Sequence, residues 1–324
     1  MTTHLEGTEY PMTGHTHQHG HQHGHQNTQQ HGHDHGHQHD HDHGHDGDFD
    51  WDALAVHLER EADLQSPAVT EAAHWLRGLL DGTPVQRVLD VGSGPGVIAG
   101  LLADAFPSAE VVAVDQSAAL LERARVRSVG RVGTRQAELP EDFGTLGSAE
   151  LIWSGNAIHH LGDQQAALTA LAGTLRPGGL LAVAERGLPA RYLPRDLGLG
   201  RPGLQARLDA AHEEVFAQMR EATPGAVAVV EDWPAMLAEA GLVPSGTRTF
   251  LVDRPAPLDT AAREFLHVQL SRRREQLDTQ LDAEDRAVLD ALLDREAPTG
   301  ILARPDAFYL TAITVHTARA AADR

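Results

Sequence analysis

Apolar residues recur along this chain at two periods, and their alternation sets out the architecture. Residues 85–91, 110–115, 149–154 and 180–185 are short blocks rich in Val, Leu, Ile and Ala, the first interrupted by Gln86, Arg87 and Asp90. Such blocks suit the strands of a parallel sheet, which are buried on both faces. Between them, residues 97–106, the Ala/Leu/Arg-rich stretch after Ser117 and residues 164–175 are apolar at helical spacing. The third strand is more polar and ends near Arg135-Gln136-Ala137. Strands and helices alternating in this way predict an α/β fold. Its sheet is doubly wound and mostly parallel, with ligands at the strand C-termini.

The flanks add helices to this frame. Trp51, Leu54, Ala55, Leu58 and Ala62 share one helical face. Ser66-Pro67 reads as an N-cap with Pro at the first helical position. A second helix is therefore predicted from there, through Leu76 and Leu79-Leu80 to Gly82. Residues 188–203 are rich in Pro, Gly and Arg and read as a loop. Residues 204–221 and 230–241 read as helices, 247–252 as a sixth strand and 307–316 as a seventh. Residues 259–296 place two further helical patterns between the last two strands. The chain thus divides into a segment 1–48 and a domain 49–324, the latter with N-terminal helices at 49–82 and helical insertions at 188–230 and 255–305.

Residues 1–48 follow neither period. From His15 to His45, His alternates with Gln, Gly and Asp, with nothing apolar to bury. Such a segment cannot offset its ordering entropy and is predicted to be disordered. Imidazoles with interspersed carboxylates suit Zn, Ni or Cu. The tract resembles the His-rich tails of nickel and zinc accessory proteins; adventitious binding of Zn or Ni by a solubilising repeat is the other reading.

The densest signal is the stretch RVLDVGSGPGVIAGL, from Arg87 to Leu101. A buried strand runs into three glycines at alternate positions, Gly92, Gly94 and Gly96, and a helix follows. Glycine serves where backbone turns through positive φ and where a ligand needs close approach. The dinucleotide fingerprint requires a third glycine three residues after the second. Starting from Gly92 that position is Val97, and from Gly94 it is Ala99, so neither frame fits.

What is present, Asp90-x-Gly92-x-Gly94-x-Gly96, resembles motif I of the class I S-adenosylmethionine-dependent methyltransferases. Leu175-Arg176-Pro177-Gly178-Gly179 before an apolar strand resembles a second signature of that family. Gly155-Asn156-Ala157-Ile158-His159-His160-Leu161 is similar to its motif IV region. The resemblance spans about residues 86–186 and implies the Rossmann-like methyltransferase fold with a seven-stranded sheet, S-adenosylmethionine as cofactor, and a methyl acceptor. Carried over residue by residue, it implies cofactor contacts from Asp90, Gly92, Ser93, Gly94 and Gly96. Asp115 and Gln116 would contribute from the second strand, Gln136 and Ala137 from the third, and Ser154 from the fourth. Asp115 lies about twenty residues past the turn, where an acid accepts hydrogen bonds from ribose hydroxyls; capping the next helix is its other reading. Gln136 stands where the family commonly carries an acid beside the adenine amino group. The helices at 49–82 would form a lid over the cofactor, or simply cover the core. The two insertions would cap the substrate, or build a homodimer interface.

Methyl transfer is an in-line displacement that releases a neutral sulfide, so no acid is needed for the leaving group. A base matters only where the acceptor must first lose a proton. The candidates are His159, His160 and Glu185, at the ends of the fourth and fifth strands. Adjacent helical residues point about 100° apart, so at most one of the two histidines faces a cleft. Arg186, Arg191 and Arg195 would suit an acidic acceptor, or are solvated loop residues; Trp153 would pack beside the adenosine site.

Composition narrows the chemistry further. Cys and Lys are both absent, which excludes disulfides, thiolate metal sites, Schiff bases and a Walker lysine. A net charge of -20 argues against nucleic acid as a partner, since phosphate contacts need a basic patch. No signal peptide pattern opens the chain, and no apolar run approaches the ~20 residues of a membrane span. The expectation is a cytoplasmic enzyme acting on a small-molecule acceptor, with no metal site in its folded domain. The rivals are a nicotinamide-dependent oxidoreductase, opposed by the glycine spacing, and a metal-handling protein whose tail is the function.

Overall fold

The computed structural model describes residues 51–185 and 187–322, with the side chains of residues 51–53 left aside. The predicted disorder and metal binding of residues 1–48 lie outside the described residues.

The domain opens on helix α1 (Trp51–Leu79), one helix where two were expected. Pro67 lies inside it, and a prolyl nitrogen cannot donate to the carbonyl four residues back. The Ser66 hydroxyl donates to that carbonyl, of Asp63, at 2.9 Å. Apolar residues on both sides of the proline, Ala55, Val69, Ala72 and Leu76 among them, are buried, so packing carries the helix through.

There follow β1 (Arg87–Val91), α2 (Val97–Ala105), β2 (Glu110–Asp115), α3 (Ala118–Arg127), β3 (Gly133–Gln136), β4 (Ala149–Gly155), α4 (Gln164–Ala172) and β5 (Leu175–Ala184). The five strands pair in parallel in the order β3-β2-β1-β4-β5. Register sets Val91 beside both Val114 and Ser154, so the strands end at one level.

The second half is β6 (Leu188–Arg191), α5 (Leu204–Ala222), α6 (Trp233–Glu239), β7 (Val243–Arg254), α7 (Thr260–Gln276), α8 (Ala283–Leu293) and β8 (Tyr309–Arg319). Strand β8 runs antiparallel between β5 and β7. The loop expected from residue 188 begins instead as β6, which pairs with β8 at Leu188 and Arg191 only. Pro189 between them has no N–H for the ladder, which is why the pattern did not read as a strand. Strands β5 and β6 lie along the same edge of β8, one beyond the other. The seven expected strands are thus present, the fifth in two pieces.

Alternate residues of the buried strands feed two cores. Val88, Leu151 and Trp153 join α1 and α2 on one face; Leu89, Val91 and Ile152 join α4 and α6 on the other. The helices α5, α7 and α8 pack beyond the strand C-termini and are tied to one another by buried charge. Asp285 of α8 takes Arg207 of α5 in a two-pronged pair at 2.7 Å, and Arg273 of α7 donates to Asp209 of α5 at 2.8 Å. No helix among the described residues is long and apolar enough to cross a membrane.

Candidate functional site

The three glycines of the turn after β1 all adopt positive φ, 74°, 52° and 72° in order. Only one of them faces free space. A Cβ on Gly92 would collide with Ala157, and one on Gly96 with Ala124, whereas Gly94 has only Leu58 of α1 nearby, at 3.8 Å. Expected to clear room for a ligand, Gly92 and Gly96 clear room for the methyl groups of Ala157 and Ala124; Gly94 alone is open. The turn is fastened to the second strand, since Gly92 N and Ser93 N both donate to the Val114 carbonyl (2.9 and 3.0 Å).

Asp115 sits beyond that carbonyl. Its Oδ2 accepts from Gly94 N at 2.8 Å and its Oδ1 from Ser117 N at 2.9 Å. A carboxylate offers about four lone-pair positions, so two remain for a ligand's hydroxyl groups. The Ser117 hydroxyl, not Asp115, caps α3. Gln116 lies beside Asp115, and its carbonyl accepts from Gln136 Nε2 at 3.0 Å; Ala137 N donates to the Asp115 carbonyl at 3.1 Å.

Asp90, one residue before the end of β1, is 2% exposed, and its Oδ2 has no hydrogen-bond partner. Burial first, and then the nearby negative charge of Asp115, raise its pKa to about 7. Ser154, level with the turn, is likewise buried with its hydroxyl unpartnered. Two acids, an open αL glycine and orphaned polar atoms at the ends of adjacent parallel strands fit a cationic ligand that carries hydroxyl groups. S-adenosylmethionine, with its ammonium, sulfonium and ribose, is of that kind.

The proposed base candidates are arranged otherwise. Glu185 Oε1 accepts from Ala157 N and Ile158 N (2.8 and 2.7 Å), and its Oε2 lies 2.6 Å from His159 Nδ1. The carboxylate side chain is fully buried. His159 packs between His160 and Phe216, and Arg220 donates to the His159 carbonyl at 2.7 Å. The pair thus braces the turn after β4, while His160 is exposed beside it. None of these three lines the cavity described next.

Immediately beyond β4 and β5 lies a cavity of about 260 Å³. Trp153, Gly155 and Asn156 form its floor; α1 contributes Glu61 and Gln65, and the insertions contribute Asp209, Glu213 and Arg273. Tyr309 closes it from β8. The Trp153 indole N–H is buried without a partner. Gln65 Nε2 donates to Tyr309 Oη (3.3 Å) and to Glu61 Oε1 (3.4 Å). Burial pushes the Glu61 pKa up, opposed by the charge of Arg272. Of the arginines suggested for an acidic acceptor, Arg191 and Arg195 are exposed and line no part of this cavity, and Arg186 lies outside the described residues. His57 of α1 stacks on Phe265 at 5.0 Å, and burial lowers its pKa to about 4, so it is a neutral core histidine. No cluster of three or more potential metal ligands occurs among the described residues.

Sequence reasoning missed most of the cavity wall. One signal was available: Glu61 and Gln65 fall at helical spacing from Leu58 on the apolar stripe of α1, where a charge is out of place. Asp209, Arg273 and Tyr309 come from elements far apart in the chain and offered none.

Against known proteins, residues 88–179 match a family described as "Methyltransferase domain". A trans-aconitate 2-methyltransferase of Deinococcus radiodurans is 36% identical over 111 residues, 34% of this chain and 42% of that protein. One from Paracidovorax citrulli is 32% identical over 146 residues, 44% of this chain and 56% of that protein. The chain therefore spans about half the length of these relatives. Among solved structures, an O-methyltransferase family protein of Burkholderia thailandensis superposes with a TM-score of 0.45 at 14% identity, covering 84% of this chain and 61% of that one.

Proposed function

We propose that this chain, whose residues 88–179 form a methyltransferase domain of the class I S-adenosylmethionine-dependent kind, transfers a methyl group to a small-molecule acceptor held in the cavity beyond β4 and β5. The observation that carries the reading is the buried, unpartnered Asp90 carboxylate oxygen beside the open Gly94 and Asp115. When bound, the cofactor supplies a methyl group activated by sulfonium. Asp90 balances positive charge, Asp115 accepts from hydroxyl groups, and the αL backbone at Gly94 lets the ligand lie against the chain. Holding acceptor and methyl in line can itself lower the barrier by ~7–11 kcal/mol. Helix α1 would roof the turn and the insertions would roof the acceptor, with Leu58 and Glu61 on adjacent turns of the same helix. The modest volume of the cavity, about 260 Å³, and the small-molecule acid named for the relatives both support a small acceptor.

The test is calorimetric titration of the full chain with S-adenosylhomocysteine and, separately, with NAD. The expected result is micromolar binding of the first and none of the second. Binding of NAD alone would overturn the reading.

A further inference from the structure

The acceptor cavity carries a charge pattern opposite to what an acidic acceptor needs. Three carboxylates face it: Glu61, Asp209 and Glu213. Its one arginine among the described residues, Arg273, is consumed: it donates to Asp209 Oδ1 at 2.8 Å and lies 5.9 Å over the Tyr192 ring. A polycarboxylate placed there would meet Glu61 and Glu213, with Arg273 already paired to Asp209, and with His212 and the charge of Arg272 near Glu61 left to offset them, so like charges oppose it in a confined site. A cation has the reverse experience. Two aromatic rings, Trp153 and Tyr309, complete the wall and suit an ammonium group packed against them. The second polar signal is the indole N–H of Trp153, a residue 1% exposed, which has no partner in the protein. It is a donor only, and so calls for an oxygen on the ligand.

We infer that the acceptor is a small protonated amine bearing a hydrogen-bond-accepting oxygen, with Glu61 holding the nitrogen and Trp153 the oxygen. This rests on the methyl-transfer reading above. It separates the chain from the relatives whose named substrate is a tricarboxylic acid, because that substrate needs a cationic wall this cavity does not present. Glu61 also suits the proton step. A bound ammonium must lose one proton before it can attack. Glu61 takes that proton, the freed nitrogen pair forms the new C–N bond, and the electrons of the broken S–C bond stay on sulfur. The positive charge passes to the methylated nitrogen, and Glu61 returns its proton to water. The raised pKa of Glu61 makes its carboxylate a better proton acceptor than a solvated one.

The test uses three probes of one carbon skeleton on the full chain, with and without S-adenosylhomocysteine: 3-aminopropan-1-ol, propane-1,3-diol and propane-1,2,3-tricarboxylate. The amine is expected to bind at least tenfold tighter than the diol and the tricarboxylate not to bind. Glu61→Gln should weaken the amine at least tenfold, while S-adenosylhomocysteine affinity and melting temperature stay as in the wild type. Glu213→Gln, at the exposed mouth, should weaken it by about threefold and serves as a second reporter. Tighter binding of the tricarboxylate, or an amine affinity indifferent to both substitutions, overturns the inference even where S-adenosylhomocysteine binds. Failure of S-adenosylhomocysteine to bind sinks the methyl-transfer reading instead, and the probes titrated without it still report the preference of the cavity.

Discussion

Two buried carboxylates sit at the carboxyl end of this sheet, and they are treated in opposite ways. Glu185, after β5, has two backbone N–H donors and a histidine on its two oxygens. Asp90, near the end of β1, leaves one oxygen with nothing. Burial of an unpaired carboxylate is unfavourable, and a protein that keeps one holds it at a site where something else completes it. Satisfaction therefore separates architecture from ligand site more reliably than residue type does. By that criterion the turn after β4 is scaffold and the turn after β1 is the receiving surface.

The contrast can be broken or sharpened by substitution. Glu185→Leu strands two backbone N–H groups and a histidine nitrogen, and should cost on the order of 3–5 kcal/mol of stability, read as the urea midpoint. A near-neutral result would abolish the distinction between the two sites. Asp115→Ala should leave the fold intact but weaken S-adenosylhomocysteine binding more than tenfold, because two charge-assisted hydrogen bonds are worth ~1.5–3 kcal/mol each before relaxation; calorimetry reads it. Unchanged affinity would remove Asp115 from the site. Asp90 gives a pH signature. Its folded pKa is raised, so the native state holds the proton more tightly than the unfolded chain does. Stability from this group is present below the unfolded value and is lost as pH rises through about 7. Melting temperature without ligand should therefore fall from about pH 4 to about pH 7 and level off above, and Asp90→Asn should flatten that fall while weakening cofactor binding. The smallest effect belongs to Arg127→Ala, which removes a solvated ion pair from α3 to Asp63 of α1 and should change stability by ~0.2–1 kcal/mol. A larger loss would mean that α1 depends on its ion pairs rather than on its apolar face.

These differences track what the sequence made legible. The parallel strands were readable because burial on both faces imposes apolar runs, and the turn because positive φ at three alternate residues demands glycine. Helix α1 was misread as two because Ser66-Pro67 is a strong local stop, overridden by a hydroxyl-to-carbonyl bond and by packing from distant segments. Strand β6 was missed because Pro189 hides a ladder that β8 dictates. The acceptor cavity was mostly illegible for a related reason. Its polar groups come from α1, α5, α7 and β8, and nothing local to any of these says that they meet.

The three glycines carry one more consequence. Gly92 and Gly96 are fixed by contact with Ala157 and Ala124, so a methyl group at either place meets protein rather than ligand. Substitution there amounts to overpacking, with a typical cost of about 1–3 kcal/mol borne by the fold. Natural selection for a foldable chain would therefore preserve two-thirds of this motif even in a descendant that had ceased to bind anything. As a diagnostic of retained activity, the glycine pattern is weaker than Asp90 beside it, a buried carboxylate whose unpartnered oxygen only a ligand makes worthwhile.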